Sequence, residues 1–476
     1  MNVLKNLNPS TVFEYFEKIC KIPHGSGNTK RISDFCVEFA ISKGLKYKQD
    51  KWNNVIIEKP ATCGYEQHQS VIIQGHLDMV CEKQADYEFD FENDELSIYV
   101  NDGYISANGT TLGADDGIAV AMALAVLEDD SLSHPKIYAI FTVDEETGMD
   151  GALNIDLSTV DSKILLNIDS EEESVLTVSC AGGARCSSQI PLNKVNNSRL
   201  FTYKIHVGGL KGGHSGVEID KGRLNASVVV SHLLRYLSIK IDFNLIDIKG
   251  GLKDNAITRE CMSKICTDCD FELIKKYIDE FKNSLNIKND KDLFIDISFS
   301  NSEYMFDKLS SQNATDFLVS LPYGVVRMSK DIENLVETSV NFGKVLISDS
   351  KLVTSHSVRS SVNEQKENLI VKLNDLAQKH GGTYSVDGKY PAWEYKKSSP
   401  LRDKMIDIHN KLYGFKPKIT SIHAGLECGL LCDKIDDLDA VSFGPEILDI
   451  HTPQEKMKIA SVERTYKFLC TILKEI

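Results

Sequence analysis

Apolar runs of strand length in this chain repeatedly end in a side chain that can bind a metal ion or move a proton. Residues 71–75 lead into His76 and Asp78, residues 140–143 into Asp144, Glu145 and Glu146, and residues 164–168 into Asp169. Two further segments carry the same residue types: Leu112-Gly113-Ala114-Asp115-Asp116-Gly117 opens a helical stretch at 118–127, and Ile450-His451-Thr452-Pro453 follows much later. Strands alternating with helical periodicity predict an α/β domain with a mainly parallel sheet, and such sheets build their sites at the carboxyl ends of their strands. Each segment alone has an ordinary reading. A lone histidine is usually a surface or core residue, acidic runs such as 144–146 and 171–173 are usually solvated, and Asp115 ahead of Gly117 can cap a helix. Five such segments in one chain are a poor fit to coincidence.

The residue types add up to a two-metal hydrolase site. Two divalent cations roughly 3.5–4 Å apart need a bridging carboxylate to offset their repulsion, and about two further ligands each. The assignment that meets this count gives His76 and Asp169 to one ion, Glu146 and His451 to the other, and Asp115 to both. Asp78, two residues beyond His76 and on the same face of an extended segment, is placed to orient the imidazole. Glu145 is left without a metal, free to take a proton from water and hand it to a leaving amine. On an extended segment Glu145 and Glu146 point to opposite sides, which separates base from ligand. Histidine and carboxylate ligands suit zinc, and manganese or cobalt is compatible with the same oxygens.

The 54 basic and 69 acidic residues of the 476-residue chain give a net charge of −15. With no basic surplus to displace counterions from phosphates, the balance argues against a nucleic-acid partner. No run reaches the roughly 18 apolar residues of a membrane span and the first residues lack the apolar core of a secretion signal, so no membrane partner is expected and the expected location is cytoplasmic. Twelve cysteines show no disulfide-like framework. The lone Cys266-Thr267-Asp268-Cys269 lacks a second pair to complete a zinc site, so idle thiols in a reducing compartment are expected.

Helical periodicity at 12–20 and 32–42, strand candidates at 54–58, 71–74, 137–143 and 164–168, and the helix from Gly117 make up the first α/β block. The stretch 87–108, rich in acids and aromatics, reads as a hairpin excursion. From Cys186 the pattern changes to a strand at 201–207, a helix at 225–237 and strands at 243–248 and 257–265. A second set follows, with strands at 336–347 and 351–359 and a helix at 364–380. The two sets indicate an inserted α+β domain of two related halves, and because His451 lies beyond it, the first domain must resume. The expected boundaries are 1–185 and 388–476 for the catalytic domain and 186–387 for the insertion.

At these residues the chain resembles the aminoacylhistidine (Xaa-His) dipeptidases, a branch of the dinuclear zinc metallopeptidases that includes glutamate carboxypeptidase, carnosinase and aminoacylase. The resemblance runs nearly end to end. Beyond the five segments it rests on Gly209-Leu210-Lys211-Gly212-Gly213-His214-Ser215-Gly216, Asn255-Ala256-Ile257-Thr258-Arg259-Glu260, Tyr390-Pro391-Ala392-Trp393, and Ile422-His423-Ala424-Gly425-Leu426-Glu427-Cys428-Gly429. The last is characteristic of the dipeptidase branch. The resemblance implies a zinc-exopeptidase-like catalytic domain, with a mixed, mainly parallel sheet and flanking helices, interrupted by a lid of two related halves. It implies the same ligands, His76, Asp115, Glu146, Asp169 and His451, with Asp78 as the histidine-orienting acid and Glu145 as the catalytic glutamate. In the lid it implies that His214 contacts the substrate carbonyl and that Asn255 and Arg259 belong to a segment linked to substrate binding. An arginine suits a C-terminal carboxylate, and Arg359 is a further candidate for that contact. Glu427 either holds a free amino terminus or is a structural carboxylate. The chain departs from the pattern at Asp116, where many relatives carry asparagine.

The function these residues imply is hydrolysis of unblocked dipeptides, Xaa-His dipeptides among them, by water activated at two divalent metal ions. Small dipeptides are the expected partners, and monomer and homodimer are both compatible with the sequence. The alternatives are an N-acyl-amino-acid deacylase using the same site and a non-catalytic metal-binding scaffold, although a scaffold leaves Glu145 without a purpose.

Overall fold

The structure, a computed structural model, describes residues 3–476. It divides into two compact units, one of Met1–Ser179, Tyr395–Ser421 and Leu426–Ile476, the other of Cys180–Glu394 and Ile422–Gly425. These junctions lie several residues from the expected ones. A division at 185/186 would cut the strand Gly182–Pro191 and one at 387/388 the strand Thr383–Tyr390, and those two strands are hydrogen-bonded to each other.

The first unit is built on an eight-stranded mixed sheet in the order Lys46–Gln49, Val55–Lys59, Ile137–Thr142, Val71–His76, Ile164–Asn167, Asp439–Ser442, Val175–Cys180, Lys418–Ile422. The four strands from Ile137–Thr142 to Asp439–Ser442 run parallel. Every residue of Val71–His76 and Ile137–Thr142 is buried, which is why these strands read as continuous apolar runs rather than alternating ones. The helix Ala114–Glu128 is buried from Ala114 to Leu127 and packs between the strand Val71–His76 and the helix Ser10–Ile19. Its run of alanines and branched aliphatics tolerates burial on all sides. Asp115 and Asp116 depart from helical geometry, so the regular helix begins at Gly117.

The 87–108 excursion contains the expected hairpin, Ile98–Asn101 with Tyr104–Ala107. The hairpin pairs in turn with Lys456–Lys458, which pairs with Ile447–Leu448. The excursion therefore braces the chain on both sides of His451.

The second unit holds a nine-stranded sheet in which Phe201–Gly208, Cys261–Thr267 and Phe243–Gly250 are followed by Val336–Ser348, Lys351–Ser360 and Gly182–Pro191. Its core is packed by the helices Ala226–Lys240, Phe271–Ser284, Lys308–Ser320 and Asn363–Lys379. The strand expected at 257–265 is split. Ala256–Ile257 pairs with Gly213–His214, whereas Cys261–Thr267 joins the main sheet. Between the two pieces Thr258 donates its hydroxyl to the carbonyls of Phe342 and Gly343, pinning the chain outside the ladder. Among the described residues no cysteine is in a disulfide, and no helix is long and apolar enough to cross a membrane.

Candidate metal centre

Three adjacent parallel strands of the first unit deliver His76, Glu145, Glu146 and Asp169 to one edge of its sheet. His76 is the last residue of the central strand, and its neighbours run on into Asp144 and Asp169. Gly75 is required here: a Cβ would lie 2.8 Å from that of Ala119 and collide with the carboxylate of Asp116. Asp116 uses this close approach, its Oδ2 accepting the main-chain N–H of His76 at 3.1 Å.

The side chains converge as ligands of two ions would. Nε2 of His76 lies 3.2 Å from Asp115 Oδ1 and 3.6 Å from Asp169 Oδ1. Nε2 of His451 lies 3.2 Å from Asp115 Oδ2 and 3.0 Å from Glu146 Oε1. Around a tetrahedral zinc with bonds of about 2.0–2.1 Å, neighbouring donor atoms lie roughly 3.3 Å apart. The two oxygens of Asp115 thus address different histidines, the arrangement of a bridge. The 3.0 Å between Glu146 Oε1 and His451 Nε2 is a separation that suits two ligands of one cation. The donor set fits two divalent cations.

Nδ1 of His76 is hydrogen-bonded to the main-chain carbonyl of Asp78 at 2.9 Å, with the Asp78 carboxylate further off at 3.5 Å. The expectation that the carboxylate orients the ring is therefore modified. That carboxylate instead accepts the hydroxyl of Ser26 at 2.8 Å and the main-chain N–H groups of Glu145 at 3.0 Å and Glu146 at 3.3 Å. The Glu145–Glu146 pair also differs from expectation. Asp144 has φ 57° and Glu145–Gly148 is a helical turn, not an extended segment. The turn still brings donor atoms of Glu145, Glu146 and His76 within 4.8 Å of one another.

The electrostatics are those of a cation site. Burial alone would lower His76, but the surrounding carboxylates of Asp115, Asp169 and Asp78 carry it well above the usual histidine range. Asp115 and Glu146 push His451 up to about 10 against its burial. Asp115 is buried, which works to raise it, yet its contacts with His451 and His76 hold it well below the usual carboxylate range. Burial, reinforced by Asp169, Glu427 and Glu146 against the pull of His76, carries Glu145 well above that range, the direction a proton-transferring carboxyl needs.

Four acids beside the centre have other roles or were not anticipated. Burial and then the charge of Asp169 push Asp116 well above the carboxylate range. Donor atoms of Glu171 lie within 4.8 Å of those of Asp115 and Asp169, and burial with those two charges pushes it up to about 8. Glu171 sits in an acidic run that sequence alone reads as solvated. Glu455 binds the main chain of the Asp115 loop. Glu427 is fully buried, with Oε2 accepting from Gln74 and Thr142, each at 2.6 Å, and Oε1 without a partner.

His214, Asn255, Arg259 and Arg359 lie in the second unit. His214 Nδ1 faces the main-chain N–H groups of Gly216 at 3.2 Å and Val217 at 3.3 Å. Since those groups only donate, Nδ1 accepts and the ring proton sits on Nε2. Burial, helped by Arg359, lowers its pKa, which favours the neutral ring. The pairing of Gly213–His214 with Ala256–Ile257 sets Asn255 beside it, its carbonyl accepting from Ser215 at 2.9 Å. Arg259 is exposed, with Nε on the carbonyl of Leu210 at 3.2 Å. Arg359 donates to the Tyr390 hydroxyl at 3.2 Å and keeps a buried Nε without a partner.

Residues 72–475 match the family described as Peptidase family M20/M25/M40. The chain is 36% identical over 482 residues to the cytosol non-specific dipeptidase of Escherichia coli (strain K12), covering 100% of this chain and 99% of that protein. Its structure matches that of aminoacylhistidine dipeptidase from Vibrio alginolyticus with a TM-score of 0.92 at 34% identity, covering 99% of this chain and 98% of the other. A likeness of fold alone extends to aminopeptidase PepT from Bacillus cereus, with a TM-score of 0.58 at 16% identity over 98% of this chain and 99% of that one. The match over most of the length and the full-length identity agree with the resemblance carried by the motifs: the chain belongs to Peptidase family M20/M25/M40.

Proposed function

We propose that the protein is a dinuclear metallopeptidase that hydrolyses dipeptides with a free amino terminus, Xaa-His dipeptides among them. The observation that carries this reading is the pair of 3.2 Å approaches by which Asp115 presents one oxygen to each of two histidines, with Glu145 close by. Full-length similarity to the Escherichia coli and Vibrio dipeptidases supports dipeptides as the substrate class. By likeness to the first, described as cytosolic, we place the protein in the cytoplasm.

In this reading His76 and Asp169 would hold one cation, Glu146 and His451 the other, and Asp115 would serve both. Zinc suits these donors, and manganese and cobalt are compatible. Two divalent cations bound there would supply acidification of a water molecule and polarisation of the scissile carbonyl. Glu145 takes the proton of the attacking water and delivers it to the leaving amine. Asp78 fixes the Glu145 main chain and, through its own carbonyl, the His76 ring. Nε2–H of His214 donates to the carbonyl oxygen as negative charge develops on it. Arg259 or Arg359 takes the C-terminal carboxylate, with Asn255 in the same binding segment. In the same reading the second unit, Cys180–Glu394 with Ile422–Gly425, serves as the lid of the catalytic domain, and Glu427 acts as a structural carboxylate.

The test is a dipeptide panel, free and N-acetylated, assayed after chelation and again with zinc, manganese or cobalt restored. Loss on chelation, recovery with a divalent cation and preference for free dipeptides are expected. Cleavage confined to acetylated substrates makes the protein a deacylase, and activity that survives complete chelation refutes the metal reading.

A further inference from the structure

Four residues beyond His451 lies Glu455, a carboxylate only 3% exposed that has no part in the hydrolysis described above. Its Oε2 accepts the main-chain N–H of Leu112 at 2.8 Å and Gly113 at 3.2 Å, and its Oε1 those of Ala114 at 2.8 Å and Asp115 at 3.5 Å. Four consecutive backbone donors therefore converge on one side chain, an anion-binding concavity filled from within the protein. These donors precede the regular helix that starts at Gly117, so without Glu455 they would be buried and unsatisfied.

The other end of the connection is equally constrained. The N–H of Glu455 bonds to the carbonyl of Thr452 at 3.1 Å, and the Thr452 hydroxyl donates to the carbonyl of Asp449 at 2.7 Å while accepting the N–H of Gln454 at 3.2 Å. His451 is thus carried by a closed turn, and Glu455 ties that turn to the loop bearing Asp115.

We propose that Glu455 is a positioning residue that fixes the Asp115 loop relative to His451 and thereby couples the two cation sites; the inference rests on the two-cation reading above. His451 faces one site only. Asp115 faces both, with 3.2 Å to each histidine, so a displacement of residues 112–115 lengthens both contacts together. Releasing Glu455 weakens both sites, a pattern that loss of His451 alone does not produce.

The test is a cobalt titration of the chelated full-length chain, read by visible absorption and by bound-metal stoichiometry, comparing wild type with Glu455→Gln and the control Gln454→Ala. Glutamine preserves volume but turns an NH2 toward two of the four donors. The expected result is a loss of about 10–100-fold in affinity at both sites, the size typical of groups that hold ligands in place. The far-UV circular dichroism of the metal-free variant should be unchanged, and Gln454→Ala should bind as wild type does. Affinities within twofold of wild type, or weakening at one site alone, would overturn the proposal. Should Glu455→Gln fail to fold, Glu455→Asp, one methylene shorter and unable to span all four donors, replaces it with the same two outcomes. A wild-type chain that binds fewer than two cobalt ions contradicts the two-cation reading itself, which is a separate result.

Discussion

The carboxylate of Asp78 accepts the main-chain N–H of Glu145 at 3.0 Å, although the two residues lie on different strand ends. The same residue bonds the ring of His76 through its carbonyl at 2.9 Å, so one position sets both a ligand's rotation and the start of the turn that bears the base. Asp78→Ala removes the first connection and spares the second. The expected outcome is a fall in kcat of about 10–100-fold with metal content largely kept. Steady-state kinetics with metal analysis decides it, and metal lost in step with activity would return Asp78 to the role of a histidine-orienting acid alone.

Glu145→Gln keeps the shape of the turn and removes the proton acceptor. A loss of about 10²–10⁴-fold in kcat is expected, with both cations retained. Glu146→Ala should instead lose a cation, because Glu146 Oε1 lies 3.0 Å from His451 Nε2. If the metal is lost in the first variant and kept in the second, the roles of the adjacent glutamates are exchanged.

Asp115 and Asp116 should behave differently despite their adjacency. Asp115→Asn is expected to weaken both cations, whereas Asp116→Asn should leave both bound. The Asp116 oxygen accepts from His76 N at 3.1 Å, a bond that an amide oxygen can equally accept, and burial with the nearby charge of Asp169 already favours a neutral Asp116. Metal stoichiometry of the two variants is the measurement; a double loss in Asp116→Asn would move the bridge by one residue.

The ligand segments are legible in the sequence because a parallel strand buried on both faces is a continuous apolar run, and its abrupt polar end marks the sheet edge where sites form. The turn at Glu145 is not legible, since nothing in Asp144-Glu145-Glu146-Thr147-Gly148 announces that Asp144 adopts φ 57°. Glu455 is hidden for a different reason. Its partners are backbone N–H groups more than 300 residues earlier in the chain, and they leave no trace in residue type. The strand 257–265 reads as one because Ile257, Cys261 and Ile265 fall on one face of an extended segment, and nothing in residue type shows that Thr258 ties the chain to Phe342 and Gly343.

For the second unit the kinetic signatures should separate. An Arg259→Ala variant should mainly raise KM and lose discrimination against C-terminally amidated dipeptides, because a clamp present in the ground state is uniform binding. His214→Ala should mainly lower kcat, since charge on the carbonyl oxygen appears only in the transition state. A His214→Ala enzyme with unchanged kcat and full metal content removes this residue from the chemistry.

The second unit also carries an acid-sensitive histidine remote from these roles. His356 is fully buried, its ring stacked on Phe342 at 4.8 Å, and both ring nitrogens lack partners. Burial lowers its pKa to about 3. Because this folded-state value is below the unfolded value of about 6.5, the unfolded chain binds a proton first as pH falls, so stability is lost below about pH 6.5 and the loss continues toward pH 3. The slope is about 1.4 kcal/mol per pH unit, or about 2 kcal/mol between pH 6.5 and 5. His423, also lowered to about 3 by burial and then by Arg359, adds in the same direction. His356→Phe preserves the stack without the titration, so its urea-unfolding stability should fall less steeply than that of wild type between pH 7 and 5. Taking the difference between the two proteins cancels the contributions of His423 and of the first unit. Parallel stability curves would mean that His356 is protonated in the folded state or exposed to water.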